Sequence, residues 1–135
     1  MKRAVLDTEV WVQGLAFAGP ARKAIRTGLE GRVGLACSPP LLLELELVLI
    51  GQEFALRPDG VGRVFDEINH LAVIVHPVRK LRVVRKDPDA DRLLECAMEW
   101  RADYAVTFHP SLLSLKSFKG VDLLTPRQFL AAVDF

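Results

Sequence analysis

The sequence has almost no net charge, because 18 lysines and arginines balance 17 aspartates and glutamates to a formal +1. This balance excludes a basic field over the whole protein, so any binding of nucleic-acid phosphates requires a local cluster of cations. Only two cysteines occur, Cys37 and Cys96, each within an apolar segment. Two cysteines do not make a disulfide framework, and we expect buried free thiols in a protein of the reducing cytoplasm.

Long apolar segments are also missing. The longest, residues 41–50, is interrupted by Glu44 and Glu46 and is much shorter than the roughly 20 residues that span a bilayer. The apolar stretch after the basic N-terminus is too short for a secretory signal. We therefore expect a cytoplasmic protein with no membrane contact. Its 135 residues of ordinary globular composition predict one domain over residues 1–135.

Short apolar runs alternate with helical patterns along the chain. We predict strands at residues 4–6, 33–37, 73–75, 104–107 and 121–124. We predict a turn at 57–60 and helices at 9–17, 21–30, 41–50, 61–71, 87–100, 110–115 and 126–133. The helix at 41–50 is apolar nearly all round, so we expect it to be largely buried. The alternation predicts an α/β fold with a central, mainly parallel sheet and helices on both faces.

Two aspartates flank predicted strands, at opposite ends. Asp7 directly follows the first strand, whereas Asp103 directly precedes the strand that begins at Tyr104. Ligands of open parallel sheets bind at the carboxyl ends of the strands, so Asp7 lies at the functional end and Asp103 does not. An acid that ends a buried strand is costly unless it is neutralised. Asp7 is therefore a candidate site residue, and its alternative role is an ordinary helix cap, a position that Thr8 can also take.

Three aspartates fall within five residues, at Asp87, Asp89 and Asp91. Like charges this close repel one another, and a bound cation or the positive N-terminal end of a helix would offset this repulsion. Asp87 precedes a proline, a pattern typical of a helix N-cap, and acids in a first turn suit the helix dipole. Asp91 lies beyond the cap, where aspartate has poor helix propensity. Capping therefore explains Asp91 least well.

Five segments, in this order, resemble the PIN domain family: residues 5–8 (VLDT), 38–45 (SPPLLLEL), 87–97 (DPDADRLLECA), 102–107 (ADYAVT) and 124–130 (LTPRQFL). The resemblance covers nearly the whole chain and points to small single-domain prokaryotic proteins related to toxin ribonucleases. It implies a three-layer α/β/α sandwich whose carboxylates bind Mg²⁺ or Mn²⁺ and cleave single-stranded RNA. It assigns metal binding and catalysis to Asp7, Glu44 and Asp91. It also implies a homodimer and an antitoxin protein as partner.

The helix predicted at 41–50 carries a second acid besides Glu44. Glu46 lies two positions further on, which is about 200° of helix rotation, so the two side chains face opposite ways. At most one of them points into a site. The resemblance selects Glu44, and the alternative for either residue is an exposed helix face.

The chain departs from the family pattern after the fourth predicted strand. Where the family usually has glycine, aspartate and another acid two residues on, residues 108–111 read FHPS, so the fourth acid is missing. His109 would suit Mn²⁺ better than Mg²⁺ if it bound a metal, and its alternative is a solvated loop side chain. Glu9 stands where the family usually has asparagine and is a candidate for the missing oxygen ligand. The role of Asp89 stays open between cap and ligand.

A run of cations directly precedes the acidic stretch and consists of Arg79, Lys80, Arg82, Arg85 and Lys86. One explanation is that it binds RNA phosphates near the metal. The other is a solvated edge whose charge prevents strand pairing.

Two hypotheses follow. The preferred one is a metal-dependent endoribonuclease of PIN type, the toxin of a toxin–antitoxin pair, which hydrolyses phosphodiester bonds of single-stranded RNA with water and a divalent cation. The alternative is a catalytically degenerate PIN domain that binds RNA or a protein partner, and it rests on the missing fourth acid.

Overall fold

A mainly parallel sheet forms the centre of the computed structural model, which describes residues 1–51 and 58–133. Its strands are β1 (Arg3–Leu6), β2 (Gly34–Cys37), β3 (Ala72–Ile74), β4 (Tyr104–Val106), β5 (Ser117–Phe118) and β6 (Val121–Leu124). They lie in the order β3-β2-β1-β4-β6-β5, and among them β5 alone runs antiparallel, against β6. The predicted α/β fold is confirmed. Strand β5 was not predicted, because two residues are too few for an alternating pattern.

The helices cover the sheet. They are α1 (Thr8–Ala16), α2 (Pro20–Leu29), α3 (Pro39–Leu49), α4 (Pro58–Leu71), α5 (Asp91–Trp100), α6 (Pro110–Leu113) and α7 (Pro126–Val133). Helix α1 packs on α2 and α3, α2 packs on α7, and α5 packs on β1, β2 and β4. The apolar residues of β1 are fully buried in the centre of this arrangement. Cys37 and Cys96 are buried free thiols, as predicted.

Polar residues account for most differences between the predicted and observed helix ends. Asp7, rather than Thr8, caps α1, because its carboxylate accepts the Thr8 N–H at 2.9 Å. The helix expected from residue 87 begins as a 3-10 turn at Pro88–Ala90 and becomes an α-helix only at Asp91. The turn predicted at 57–60 is wrong over residues 58–60, which belong to α4. Residue 57 lies outside the described residues.

Helix α3 is less buried than its composition predicted. Leu41, Leu45 and Leu49 are buried, whereas Leu43 and Leu47 are 58% and 60% exposed. The buried side chains recur every four residues, so only one face of the helix meets the core. The prediction of a largely buried helix is therefore wrong. In the described parts of the chain, no helix is both long and apolar enough to cross a membrane.

The strand order reverses between β1 and β4. The chain runs outward from β1 through β2 to β3, then returns to β4 on the other side of β1. Connections that leave neighbouring strands in opposite directions open a crevice at the carboxyl ends of those strands. Asp7 follows β1 and Thr107 follows β4 at this crevice. Asp103 lies at the opposite end of the sheet, where its carboxylate accepts the Arg3 N–H at 2.9 Å.

Candidate functional site

Asp7 lies at the crevice between β1 and β4 and is held there by three hydrogen bonds. Its backbone N–H donates to the Val106 carbonyl at 2.9 Å, which joins the two strand ends. One carboxylate oxygen accepts the Thr8 N–H at 2.9 Å, and the other accepts the Thr107 hydroxyl at 2.7 Å. A carboxylate offers about four lone-pair positions, so both oxygens keep acceptor capacity for another partner.

Burial raises the pKa of Asp7 above its ordinary value. The hydrogen bonds from Thr107 and Thr8 lower this pKa, as does the proximity of His109, whereas the negative charge of Glu9 raises it. Burial raises this pKa by more than the hydrogen bonds lower it, so the charged carboxylate of Asp7 is disfavoured in this environment. A cation beside Asp7 would stabilise the charged form.

Glu44 lies in the second turn of α3 and faces the same crevice. The Ser38 hydroxyl caps this helix by accepting the Leu41 N–H at 3.4 Å, which sets the start of the helix and the direction of Glu44. The pKa of Glu44 is raised to about 7, first by burial and then by the negative charges of Asp7, Asp89 and Asp87. Glu46, two positions on, is exposed, as the helix rotation predicted.

A cavity of about 290 Å³ lies in front of these carboxylates and is lined by Asp7, Thr8, Glu9 and Glu44 together with Phe108 and His109. The Thr8 hydroxyl is buried and makes no hydrogen bond of standard geometry, although its proximity lowers the pKa of Glu44. Buried polar groups of proteins are normally paired. Glu44 is its nearest acceptor, and a polar ligand in the cavity would give this hydroxyl a partner of better geometry.

His109 is occupied by other partners. Its Nδ1 accepts the Ser111 N–H at 3.2 Å, so the hydrogen-bond network assigns the ring proton to Nε2, which donates to an Asp87 carboxylate oxygen at 2.9 Å. In this arrangement neither ring nitrogen has a lone pair free for a metal. The geometry does not favour the Mn²⁺-binding role considered for His109. It also explains why Asp87 makes no side-chain cap to the 3-10 turn.

The carboxylates gather at one end of the sheet without forming a closed cage. Across residues 1–51 and 58–133, no three His, Cys, Asp or Glu side chains converge closely enough to hold a metal ion by themselves. Mg²⁺ usually keeps several waters and binds through one or two carboxylates plus substrate phosphates. Asp7 and Glu44, with the unpaired Thr8 hydroxyl beside them, fit a hydrated divalent cation of this kind. Glu9 lines the same cavity, and Asp87 and Asp89 are near enough to raise the pKa of Glu44.

Asp91 is in a different environment. Its side chain is 1% exposed, and its two oxygens accept the backbone N–H groups of Val83 and Val84, each at 3.0 Å. It does not line the cavity that contains Asp7 and Glu44. The structure therefore brings together two of the three acids expected to bind metal, and it assigns Asp91 to the segment that precedes α5.

That segment, which we call the basic strap (residues 78–86), is extended alongside α5. The carboxylates of Glu99, Glu95 and Asp91 lie four residues apart on one face of α5 and accept strap N–H groups from Val78, Leu81, Val83 and Val84 at 2.8–3.0 Å. Arg92 also lies 3.0 Å from Glu95, an ion pair whose geometry is not that of a hydrogen bond. Because the acids bind the backbone of the strap, they leave its cationic side chains available.

The strap cations predicted to bind nucleic acid are all exposed: Arg79, Lys80, Arg82, Arg85 and Lys86. Within the described part of the chain, none of them makes an ion pair. Three of them, with Arg92, line a groove of about 690 Å³. Asp91 also lines the groove, and Arg92 is paired with Glu95, so the local positive surface comes from Lys80, Arg82 and Arg85 on a chain that has almost no net charge.

We expect Asp91→Ala to destabilise the protein by about 2 kcal/mol, because it leaves the Val83 and Val84 N–H groups without acceptors. Urea denaturation measures this change. Asp89→Ala is the matched control: Asp89 is exposed, and no described residue hydrogen-bonds to its side chain, so its loss should cost no more than about 0.5 kcal/mol. If Asp91→Ala keeps full stability but loses metal binding, Asp91 is a ligand and not a structural residue.

Several residues of the site were not found from the sequence. Thr107 ends β4 at the same edge as Asp7, so the strand-end rule alone would have found it. Phe108 lines the acidic cavity, but nothing in the sequence marks an apolar residue there as part of a site. The pairing of Asp87 with His109 joins residues 22 positions apart and has no local signal.

Comparison with protein families gives one finding. A family model described as a PIN domain matches residues 3–109, a range that includes every acid of the crevice. Comparison with curated protein sequences gives no significant match.

Proposed function

The chain belongs to the PIN domain family, whose members are generally nucleases, bind RNA and use divalent metal ions, and we propose that it is a metal-dependent endoribonuclease for single-stranded RNA. One observation carries the proposal: Asp7 and Glu44 share a cavity at the point where the strand order reverses. Two desolvated carboxylates at the ligand-binding end of such a sheet suit a cation and a phosphate better than a structural role.

In this proposal Asp7 and Glu44 would hold Mg²⁺ or Mn²⁺, and Glu9 and Asp89 would add negative charge nearby. The bound cation would supply positive charge to the scissile phosphate and lower the pKa of a nearby water. The Thr107 hydroxyl orients Asp7 by donating to its carboxylate at 2.7 Å. The same hydroxyl accepts the backbone N–H of His109 at 3.0 Å, which connects the end of β4 to the loop that follows it. The groove lined by Lys80, Arg82, Arg85 and Arg92 binds the RNA backbone.

A catalytically degenerate PIN domain that binds RNA or protein is the alternative. Two observations favour it. His109 donates to Asp87 instead of facing a cation, and Asp91 is engaged by the strap. In that case only the carboxylates of Asp7 and Glu44 would bind the cation directly, and no third side chain would complete the site. Weak metal binding combined with retained RNA affinity would identify this function.

We further propose a cytoplasmic toxin of a toxin–antitoxin pair that forms a homodimer and has one domain. Leu43 and Leu47 of α3, and Ile50 directly after its end, are exposed. They support a protein partner, because apolar side chains grouped on a surface are typical of interfaces. Size-exclusion chromatography with light scattering tests the dimer directly.

Incubation with labelled single-stranded RNA tests the nuclease function. We expect cleavage with Mg²⁺ or Mn²⁺, no cleavage in EDTA, and slower cleavage of a duplex of the same sequence. Absence of cleavage with either ion, together with RNA binding in the same buffer, would instead support the degenerate alternative.

A further inference from the structure

A second cavity adjoins the acidic one and is lined by two exposed aromatic rings. Its volume is about 350 Å³, at the small end of the range for ligand sites. Phe17, at the end of α1, and Phe108, after β4, both line it and are 62% and 37% exposed. Exposed phenylalanines are costly to hydrate, so two at one cavity indicate a ligand with an apolar face.

Phe108 also connects the two cavities. It lines both the aromatic cavity and the one that contains Asp7 and Glu44. A ligand in the aromatic cavity therefore lies next to the carboxylates. A nucleotide has the matching chemistry, because it joins a flat base to a charged phosphate through one sugar.

The remaining lining of the aromatic cavity suits a nucleotide. Arg127, in the first turn of α7, is exposed and makes no ion pair in the parts of the chain that the structure describes, so its charge is available to a phosphate. Gln13 is exposed, and no described residue hydrogen-bonds to its side chain, so its amide can contact a base edge. A base inside a duplex is already stacked and paired, and its faces cannot enter this cavity.

We propose that the aromatic cavity is a nucleobase subsite, in which Phe108 and Phe17 stack on an unpaired base of the RNA whose phosphate reaches the acidic cavity. This inference rests on the proposed action on single-stranded RNA and adds the place where one of its bases binds, with little preference among bases, because every base has a π-face. Stacking here also explains selection for single strands, since the base must leave its helix to enter.

The test measures binding without catalysis. Fluorescence anisotropy in EDTA compares a short oligouridine with an abasic oligomer of the same length, for the wild type and for Phe108→Leu, Phe108→Trp and Phe17→Leu. We expect Phe108→Leu and Phe17→Leu to weaken oligouridine binding by about tenfold each and to leave binding of the abasic oligomer unchanged. Phe108→Trp keeps an aromatic face and should keep the affinity. Leu29→Ala, at an exposed apolar residue that lines neither cavity, is the matched control and should bind as the wild type does.

The outcomes separate this inference from the proposed function. If the wild type binds both oligomers equally, or if both leucine variants bind oligouridine as tightly as the wild type, the stacking subsite is excluded while RNA binding stands. If the wild type binds neither oligomer, the stacking subsite is excluded, and the cleavage assay with Mg²⁺ or Mn²⁺ decides separately on the proposed function. Thermal melts of each variant show whether it is folded, so that weaker binding can be attributed to the missing ring. If Phe108→Leu does not fold, Phe17→Leu provides the test.

Discussion

Asp7→Asn is expected to lower RNA cleavage by at least about 100-fold. Asparagine has the size and hydrogen-bonding oxygen of aspartate but not its charge, so the cation loses one of its two direct carboxylates. A bound metal contributes several kcal/mol to stabilising charge in a phosphodiester transition state. Each loss of about 1.4 kcal/mol lowers the rate tenfold. Initial rates at saturating Mg²⁺ or Mn²⁺ measure the effect.

The same substitution should not damage the fold. Asparagine caps helices as well as aspartate does: its carbonyl oxygen can accept the Thr8 N–H, and its NH2 group can donate to the Thr107 hydroxyl oxygen. The pKa of Asp7 is raised in the folded protein, so its contribution to stability is present at low pH and is lost as the pH rises through the folded pKa. Asn cannot ionise. The variant should therefore melt at the same or a higher temperature than the wild type at pH 8.

Asp103→Asn is the matched control for this prediction. Asp103 is an aspartate of the same sheet that lies at the opposite end, 2.9 Å from the Arg3 N–H and 4.0 Å from Lys2. The Asp103→Asn variant should cleave RNA at the wild-type rate. Equal rates for Asp7→Asn and the wild type would remove Asp7 from the site.

Glu44→Gln is expected to remove most of the stabilisation that a divalent cation provides, and to stabilise the metal-free protein at alkaline pH. A cation present at 100 times its Kd stabilises the folded wild type by about 2.7 kcal/mol. The variant has lost one of the two carboxylates that bind the cation, so its melting temperature should change little when Mn²⁺ is added. Thermal melts with and without metal measure both effects.

The pH dependence follows from the sign of the shift. Folding raises the pKa of Glu44 from 4.5 to about 7. Its contribution to stability is complete below about pH 4.5, falls between pH 4.5 and 7, and is absent above pH 7. Gln removes this dependence. Because Glu44 is partly exposed and its charge is screened by solvent, we expect the metal-free variant to gain only about 1 kcal/mol at pH 8 and nothing at pH 4.

Glu46→Gln is the matched control for Glu44→Gln, because it removes the same negative charge at another position of the helix. Glu46 lies on the same helix and is exposed, on the far side from the cavity, so its replacement should leave both the metal response and the pH profile unchanged. The role of Glu44 would be contradicted if the two variants responded to Mn²⁺ alike.

Local patterns were sufficient to predict five of the six described strands, most of the helices and the place of Asp7. Strand β1 is a buried apolar run that ends at Asp7, and the carboxyl ends of parallel strands meet at one edge, so a residue next to a strand can be placed without coordinates. Helical rotation showed that at most one of Glu44 and Glu46 faces the site, and the resemblance to the PIN domain family selected Glu44. Burial of α3 was overestimated because composition does not reveal which face of a helix meets the core.

The sequence by itself thus determined the α/β class, the position of Asp7 at the end of β1, and the opposite directions of Glu44 and Glu46. Each of these follows from a pattern that spans only a few residues. Only the tertiary structure decided what the acids around residues 87–91 do. A 3-10 turn delays α5 until Asp91, whose carboxylate then binds the Val83 and Val84 N–H groups, while Asp87 binds His109 from another element. These partners are selected by the packing of α5 against its neighbours, and no spacing in the sequence encodes that packing. Three aspartates within five residues therefore have three different environments.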